Sequence, residues 1–172
     1  LARKVGPGGE VIGIDSAANA LKLARDRSKK DLGLPISWME ADALNTRLLS
    51  CSFDGGVMAY GLRNLSDPAV GLNELRRVLK PGAKAGILDF NPLTKGSFGE
   101  LFQKVYLRKI VVPISSIFGL TDQYAYLEES LKLFPQGHEQ EHLAKAAGFI
   151  EAKHLLVGFG QMGVLIFYIE DI

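Results

Sequence analysis

Two acids close apolar runs near the start of the chain. Asp15 ends Val11-Ile12-Gly13-Ile14, and Asp42 follows Ile36-Ser37-Trp38-Met39-Glu40-Ala41. In a nucleotide-binding sheet, an acid at the carboxyl end of a strand accepts hydrogen bonds from ribose hydroxyls. A second acid one strand further on suits the exocyclic amine of adenine, with the Ala43 N–H beside it. Each acid also has a plainer reading. Asp15 and Ser16 both favour helix N-caps, and Asp42 suits a solvated loop. The pair carries more than either member, because acids ending successive strands converge on one crevice.

A third group is Tyr60-Gly61-Leu62-Arg63-Asn64. Gly61 permits close backbone approach to a ligand, and Arg63 with Asn64 supplies donors able to orient an oxygen-bearing ring. Standing alone, the pentad reads more simply as a surface Arg and a turn Asn. The histidines offer less. His138 and His142 lie four apart on a polar helix and should be exposed, His154 lies on an apolar strand, and the three share no metal-ligand spacing. No metal is expected. Gly158, Gly160 and Gly163 do not form a phosphate loop, because no helix follows them.

The elements that must position these groups are punctuated regularly. Pro7-Gly8-Gly9 turns into a strand over Val11–Asp15, and Ser16 caps a helix with an apolar stripe at Ala17, Ala20, Leu21 and Ala24. Strands follow over Ile36–Glu40 and over 53–60. Asp67-Pro68 opens a helix with its stripe at Leu72, Leu75 and Leu79, stopped by Pro81-Gly82, and 85–90 is a fourth strand. This alternation predicts an α/β fold with a parallel sheet covered by helices on both faces.

After Phe90 the rhythm changes. Phe98, Leu101, Phe102, Val105, Tyr106 and Ile110 mark an amphipathic helix broken near Pro113, and Tyr124, Leu127, Leu131 and Phe134 mark another. A further helix ends at Gly148, and two apolar strands span about 150–157 and 164–169. The amphipathic segments at about 93–135 therefore sit between the fourth strand and the last pair.

Three runs carry a family resemblance. Tyr60-Gly61-Leu62-Arg63-Asn64, Glu74-Leu75-Arg76-Arg77-Val78-Leu79-Lys80-Pro81-Gly82 and Leu88-Asp89-Phe90 resemble the signature stretches of the ubiquinone/menaquinone biosynthesis C-methyltransferases. The Leu-Lys-Pro-Gly turn is common to many class I methyltransferases, whereas Gly-Leu-Arg-Asn is much more specific to the quinone branch. Ile110-Val111-Val112-Pro113, Gly119-Leu120-Thr121-Asp122, Tyr124-Ala125-Tyr126, Phe134-Pro135 and Met162-Gly163 resemble the cyanobacterial and plastid members that methylate demethylphylloquinol. The likeness runs from about Val5 to Val164. Where relatives carry an apolar Leu-Pro-Phe loop after the second acid, this chain has Asn45-Thr46-Arg47-Leu48-Leu49-Ser50.

The resemblance implies a class I, Rossmann-like methyltransferase with a mostly parallel sheet, forming one domain over 1–172 with the 93–135 insert as a substrate-side cap. It implies S-adenosylmethionine as cofactor, held by Asp15 and Ser16 at the ribose, by Asp42 and Ala43 at the adenine, and by Ala59 and Tyr60 at the methionine end. Arg63 and Asn64 would face a prenylated quinol and serve its C-methylation. The family's first strand and glycine-rich loop would precede Leu1, so the chain reads as truncated at its start and is expected to bind cofactor poorly alone. A plastid or cyanobacterial location, peripheral membrane contact and self-association complete the expectation.

Composition agrees with an ordinary globular domain. The 172 residues are 47% hydrophobic and 23% charged, and 20 basic against 19 acidic residues leave a net charge of +1. So even a balance attracts neither nucleic acid nor an anionic surface, and no nucleic-acid partner is expected. The single Cys51 excludes an internal disulfide. Two rival readings stay open: a nicotinamide-type oxidoreductase, which strand-end acids also fit, and a non-catalytic remnant of a methyltransferase.

Overall fold

The computed structural model describes residues 1–29, 35–92, 130–131, 133–158 and 160–171. The expected 93–135 insert, apart from 130–131 and 133–135, lies outside the described residues. Two compact units emerge, Leu1–Leu49 and Ser50–Ile172.

The first unit holds α1 (Ala2–Val5), β1 (Val11–Asp15), α2 (Ala18–Ser28) and β2 (Ile36–Glu40). The strands pair in parallel, from Val11 opposite Ile36 to Asp15 opposite Glu40. Gly13 faces Trp38 in this register, and the indole lies where a Gly13 side chain would stand. The ring is fixed at its edge, because its Nε1 donates to Ser28 Oγ at 3.2 Å, while Arg25 Nη2 donates to the Trp38 carbonyl at 3.1 Å. Glycine is therefore required by the close approach of an aromatic ring. Gly13→Ala should destabilise the unit by about 1–3 kcal/mol through overpacking. Pairing it with Trp38→Leu should return part of that loss, as measured by urea unfolding.

Two details of the expected α2 change. Ser16 is not its cap: the N-cap residue is Ala17, and Asp15 Oδ1 accepts the Ala17 N–H at 2.8 Å. The longer Asp side chain reaches the donor first and closes a local turn. The apolar stripe also shrinks. Leu21 is buried and Ala24 half-buried, but Ala17 and Ala20 are exposed. A two-stranded sheet is too narrow to cover a full helical stripe.

The second unit contains β3 (Phe53–Ala59), a 3-10 turn (Leu62–Asn64), α3 (Pro68–Val78), β4 (Leu79–Phe90), α4 (Gly137–Ala146), β5 (Glu151–Val157) and β6 (Met162–Tyr168). Its sheet runs β3-β4-β6-β5, parallel between β3 and β4 and antiparallel in the other two pairs. Asp67 caps α3 as expected, its Oδ1 accepting the Ala69 and Val70 N–H groups at 2.9 and 3.1 Å, with Pro68 in the first turn. Leu79, expected on that helix, instead begins β4 opposite Phe53 and is fully buried. The Pro81-Gly82 pair lies inside β4, at the register shift between Phe53 and Gly55, where Gly82 has φ +72°. A strand absorbs this irregularity as a bulge, which a helix could not.

Period-two alternation builds the core. Ala83, Ala85, Ile87 and Asp89 form the buried row of β4, and Gly163, Leu165 and Phe167 that of β6. Phe149 packs against Phe167 with ring centroids 4.2 Å apart. Among these apolar side chains Asp89 is the exception, and it belongs to the site.

His138 and His142 are exposed on α4, and His154 is half-buried on β5. The His154 ring fills the space that side chains at Gly137 and Gly163 would need, and its backbone N–H donates to Glu141 Oε1 at 2.7 Å. Burial lowers the His154 pKa below 6.5, while the Glu141 charge opposes that shift. The folded value is the depressed one, so stability is fully present above about pH 6.5 and declines as pH falls through the folded value. His154→Asn should flatten this dependence, read as urea midpoints between pH 8 and pH 5 (roughly one unit either side of the histidine range).

Candidate functional site

In the first unit Asp15 and Asp42 reach the same end of one parallel strand pair. Asp15 is the last residue of β1, opposite Glu40, and Asp42 follows β2 by two residues. Each carboxylate uses one oxygen to hold its own loop. Asp15 Oδ1 takes the Ala17 N–H, and Asp42 Oδ1 takes the Leu44 N–H at 2.9 Å, with the Asn45 N–H donating to the Asp42 carbonyl at 3.0 Å. Among the described residues neither Oδ2 has a donor, and both side chains are exposed. The plain reading of Asp15 as a helix N-cap does not hold, since Ala17 takes that position; Asp15 instead closes a local turn with one oxygen and leaves the other for a hydroxyl donor. Ser16 is exposed and Ala43 half-buried beside these acids.

In the second unit the site is built where β3 and β4 end together. Ala59 pairs with Leu88 as the last residue of β3. Tyr60 leaves the strand with φ +55°, an unfavourable conformation for a residue with a Cβ. Such strain costs on the order of 1–3 kcal/mol and persists only where neighbours over-determine it. Here they do. The Tyr60 N–H donates to the Leu88 carbonyl at 2.8 Å, and the Tyr60 carbonyl accepts from Arg63 Nη1 at 3.1 Å and Asn64 Nδ2 at 2.9 Å. The Tyr60 ring lies 5.3 Å from that of Phe90, and its hydroxyl donates to Met162 Sδ at 3.4 Å.

The Asn64 amide nitrogen, expected as a substrate donor, is therefore turned back onto its own loop. Arg63 is held more tightly. Its Nη1 donates to Asp89 Oδ1 at 2.6 Å, with the two side chains 11% and 4% exposed. Its backbone N–H donates to Asp89 Oδ2 at 3.2 Å, and its Cζ sits 5.2 Å from the centre of the Phe90 ring. The Phe90 N–H adds a 2.8 Å bond to Asp89 Oδ1. Among the described residues the buried Arg63 Nε–H has no hydrogen-bond partner. Asn91 secures the end of β4, donating from Nδ2 to the Gly160 carbonyl at 3.0 Å.

The structure gathers Ala59, Tyr60, Arg63 and Asn64 in one unit, and Asp15, Ser16, Asp42 and Ala43 in the other. Sequence reasoning missed Asp89, although it quoted the run that contains it. The signal was present: two residues past Ile87, Asp89 is an acid on the inward row of an apolar strand, and buried acids are paired.

The model of the ubiE/COQ5 methyltransferase family matches residues 1–167. A 2-phytyl-1,4-naphtoquinone methyltransferase of Nostoc punctiforme is 47% identical over 96% of this chain and 72% of its own length. The chloroplastic 2-phytyl-1,4-beta-naphthoquinone methyltransferase of Arabidopsis thaliana is 37% identical over 96% of this chain and 64% of its own. Among solved structures, a SAM dependent methyltransferase from Aquifex aeolicus superimposes with a TM-score of 0.68, at 19% identity, over 98% of this chain and 73% of its own.

Proposed function

This chain belongs to the ubiE/COQ5 methyltransferase family, has the class I fold and is an S-adenosylmethionine-dependent methyltransferase, and from that premise we propose that it methylates a ring carbon of a prenylated hydroquinone. The substrate is a naphthoquinol of the demethylphylloquinol or demethylmenaquinol type, met in a plastid or a cyanobacterial cell. The named activities of the Nostoc and Arabidopsis relatives support this choice over a nicotinamide oxidoreductase. The observation that carries it is the buried Arg63 guanidinium, pinned by Asp89 and, among the described residues, with its Nε–H unpaired.

The residues present fit the cofactor by their hydrogen-bonding chemistry. Asp15 and Asp42 each retain one carboxylate oxygen for a ribose hydroxyl or an exocyclic amine, and the Ala43 N–H stands beside the second acid. Ala59 and Tyr60, at the end of β3, would line the methionine portion. When bound, S-adenosylmethionine supplies a methyl group made electrophilic by its sulfonium. The protein's own task is alignment and electrostatics. A quinol ring carbon is nucleophilic to the extent that a ring hydroxyl gives up its proton, and Arg63 stabilises the oxygen as it becomes anionic. Tyr60 and Phe90 offer apolar surface against which the ring system can lie. Asn64 holds the loop that carries Arg63.

A prenyl or phytyl tail partitions into lipid, so such a substrate is encountered at a membrane surface. Among the described residues no helix is long and apolar enough to cross a membrane. Peripheral contact with the bilayer and self-association are part of the proposal.

Cofactor and substrate roles should separate by mutation. Asp15→Ala removes a charged acceptor and should weaken S-adenosylmethionine binding by roughly 10- to 100-fold. Turnover at saturating cofactor should change little, as read by calorimetry beside steady-state rates. Substrate class is tested by competing a phytylated demethylnaphthoquinol against small phenols with labelled S-adenosylmethionine. Label on the quinol supports the proposal, and label only on small phenols contradicts it.

A further inference from the structure

Resting on the function proposed above, we infer that Asp89 is a positioning residue that presents one edge of Arg63, its Nε–H and Nη2–H pair, to an anionic substrate oxygen. A guanidinium carries five N–H donors in one plane, and its edges are not equivalent. The Nη1 side is spent, with Asp89 Oδ1 at 2.6 Å and the Tyr60 carbonyl at 3.1 Å. On the opposite edge Nε–H and one Nη2–H point the same way, which is the geometry that grips an oxyanion in a forked fashion. Among the described residues Nε is buried without a partner, and the bonds to Asp89 and to the Tyr60 carbonyl both leave from Nη1 rather than Nη2. A buried donor left unmade is costly, and it is tolerated at a site that a ligand completes.

Asp89 determines where that edge faces. Its Oδ2 takes the Arg63 backbone N–H and its Oδ1 the Arg63 side chain, so a single carboxylate holds both ends of the residue. It cannot rotate freely, because the Phe90 N–H binds Oδ1 as well. The Phe90 ring packs against the guanidinium from another side. One edge and the backbone are thereby fixed, and the free edge is left. The charges agree with this arrangement. A lone buried guanidinium is expensive, whereas an Arg–Asp pair is neutral before substrate arrives and accepts one anionic oxygen at the remaining edge.

The test reads binding as well as turnover, using a nitronaphthol whose phenolate absorbs in the visible. The unaltered protein should bind the phenolate form. Arg63→Met and Asp89→Asn should each weaken that binding by about tenfold or more. The double variant should be no weaker than Arg63→Met alone, because Asp89 acts through Arg63. A merely structural Asp89 would give losses that multiply, and that result overturns the inference. So does an Asp89→Asn protein that binds the probe as well as the unaltered one. If Asp89→Asn fails to fold, Asp89→Glu keeps the charge and should lose less binding than Arg63→Met; no loss at all overturns the inference. Methyl transfer to the quinol without any probe binding would leave the proposed activity standing and refute this role alone.

Discussion

Replacing Arg63 with alanine is expected to lower kcat for quinol methylation roughly 100- to 1,000-fold, the usual effect of deleting one donor to a developing oxyanion. The loss should fall on kcat and kcat/KM together, since the interaction strengthens as the oxygen gains charge. Affinity for S-adenosylmethionine should stay within about threefold, because the proposed cofactor acids do not depend on this side chain for their hydrogen bonds. Arg63→Lys should recover only part of the loss: a lysine ammonium keeps the charge but not the planar fork. Steady-state rates with both substrates varied, together with calorimetric titration of cofactor, separate these effects. Turnover left unchanged in Arg63→Ala would remove the guanidinium from the chemistry.

The second large effect concerns stability. Asp89→Ala should destabilise the protein by about 3–5 kcal/mol, because it leaves the Arg63 guanidinium buried and unpaired. Against a total stability of roughly 5–15 kcal/mol, that loss brings the fold near its limit. The carboxylate accepts three hydrogen bonds, two from Arg63 and one from the Phe90 N–H, and all three donors lose their acceptor together. Removing both charges should cost less than removing one. Arg63→Met combined with Asp89→Leu replaces the pair with apolar groups and should regain much of the stability while abolishing turnover. Urea unfolding of the single and double variants gives the comparison. An Asp89→Ala protein as stable as the unaltered chain would mean the pair is not buried in solution.

Much of this was legible beforehand where local chemistry decides. Asp67-Pro68 announced the start of α3, and the short apolar runs ending in Asp15 and Glu40 announced two strands. Their parallel pairing followed from alternation with helices. The antiparallel placement of β6 between β4 and β5 could not be read from spacing, because it depends on which edge of β4 stays open to a later strand. Leu79 misled for a related reason. A leucine at helical spacing before Pro-Gly looks like the end of a stripe, yet its burial opposite Phe53 outweighs the propensity of one residue. At the site, residue types pointed to Arg63 and Asn64, but not to the direction of their donors. That direction is set by the Tyr60 turn, whose carbonyl collects an N–H from each side chain. Asp89 was readable only by asking which face of β4 points inward.

The most direct measurement is transfer of a deuterated methyl group. The protein is incubated with S-adenosylmethionine carrying a CD3 group and a phytylated demethylnaphthoquinol, and the product is examined by mass spectrometry and NMR. One CD3 group is expected on a ring carbon, with transfer dependent on Arg63. A CD3 group on a quinol oxygen, or an unlabelled quinol beside a labelled small phenol, would contradict it.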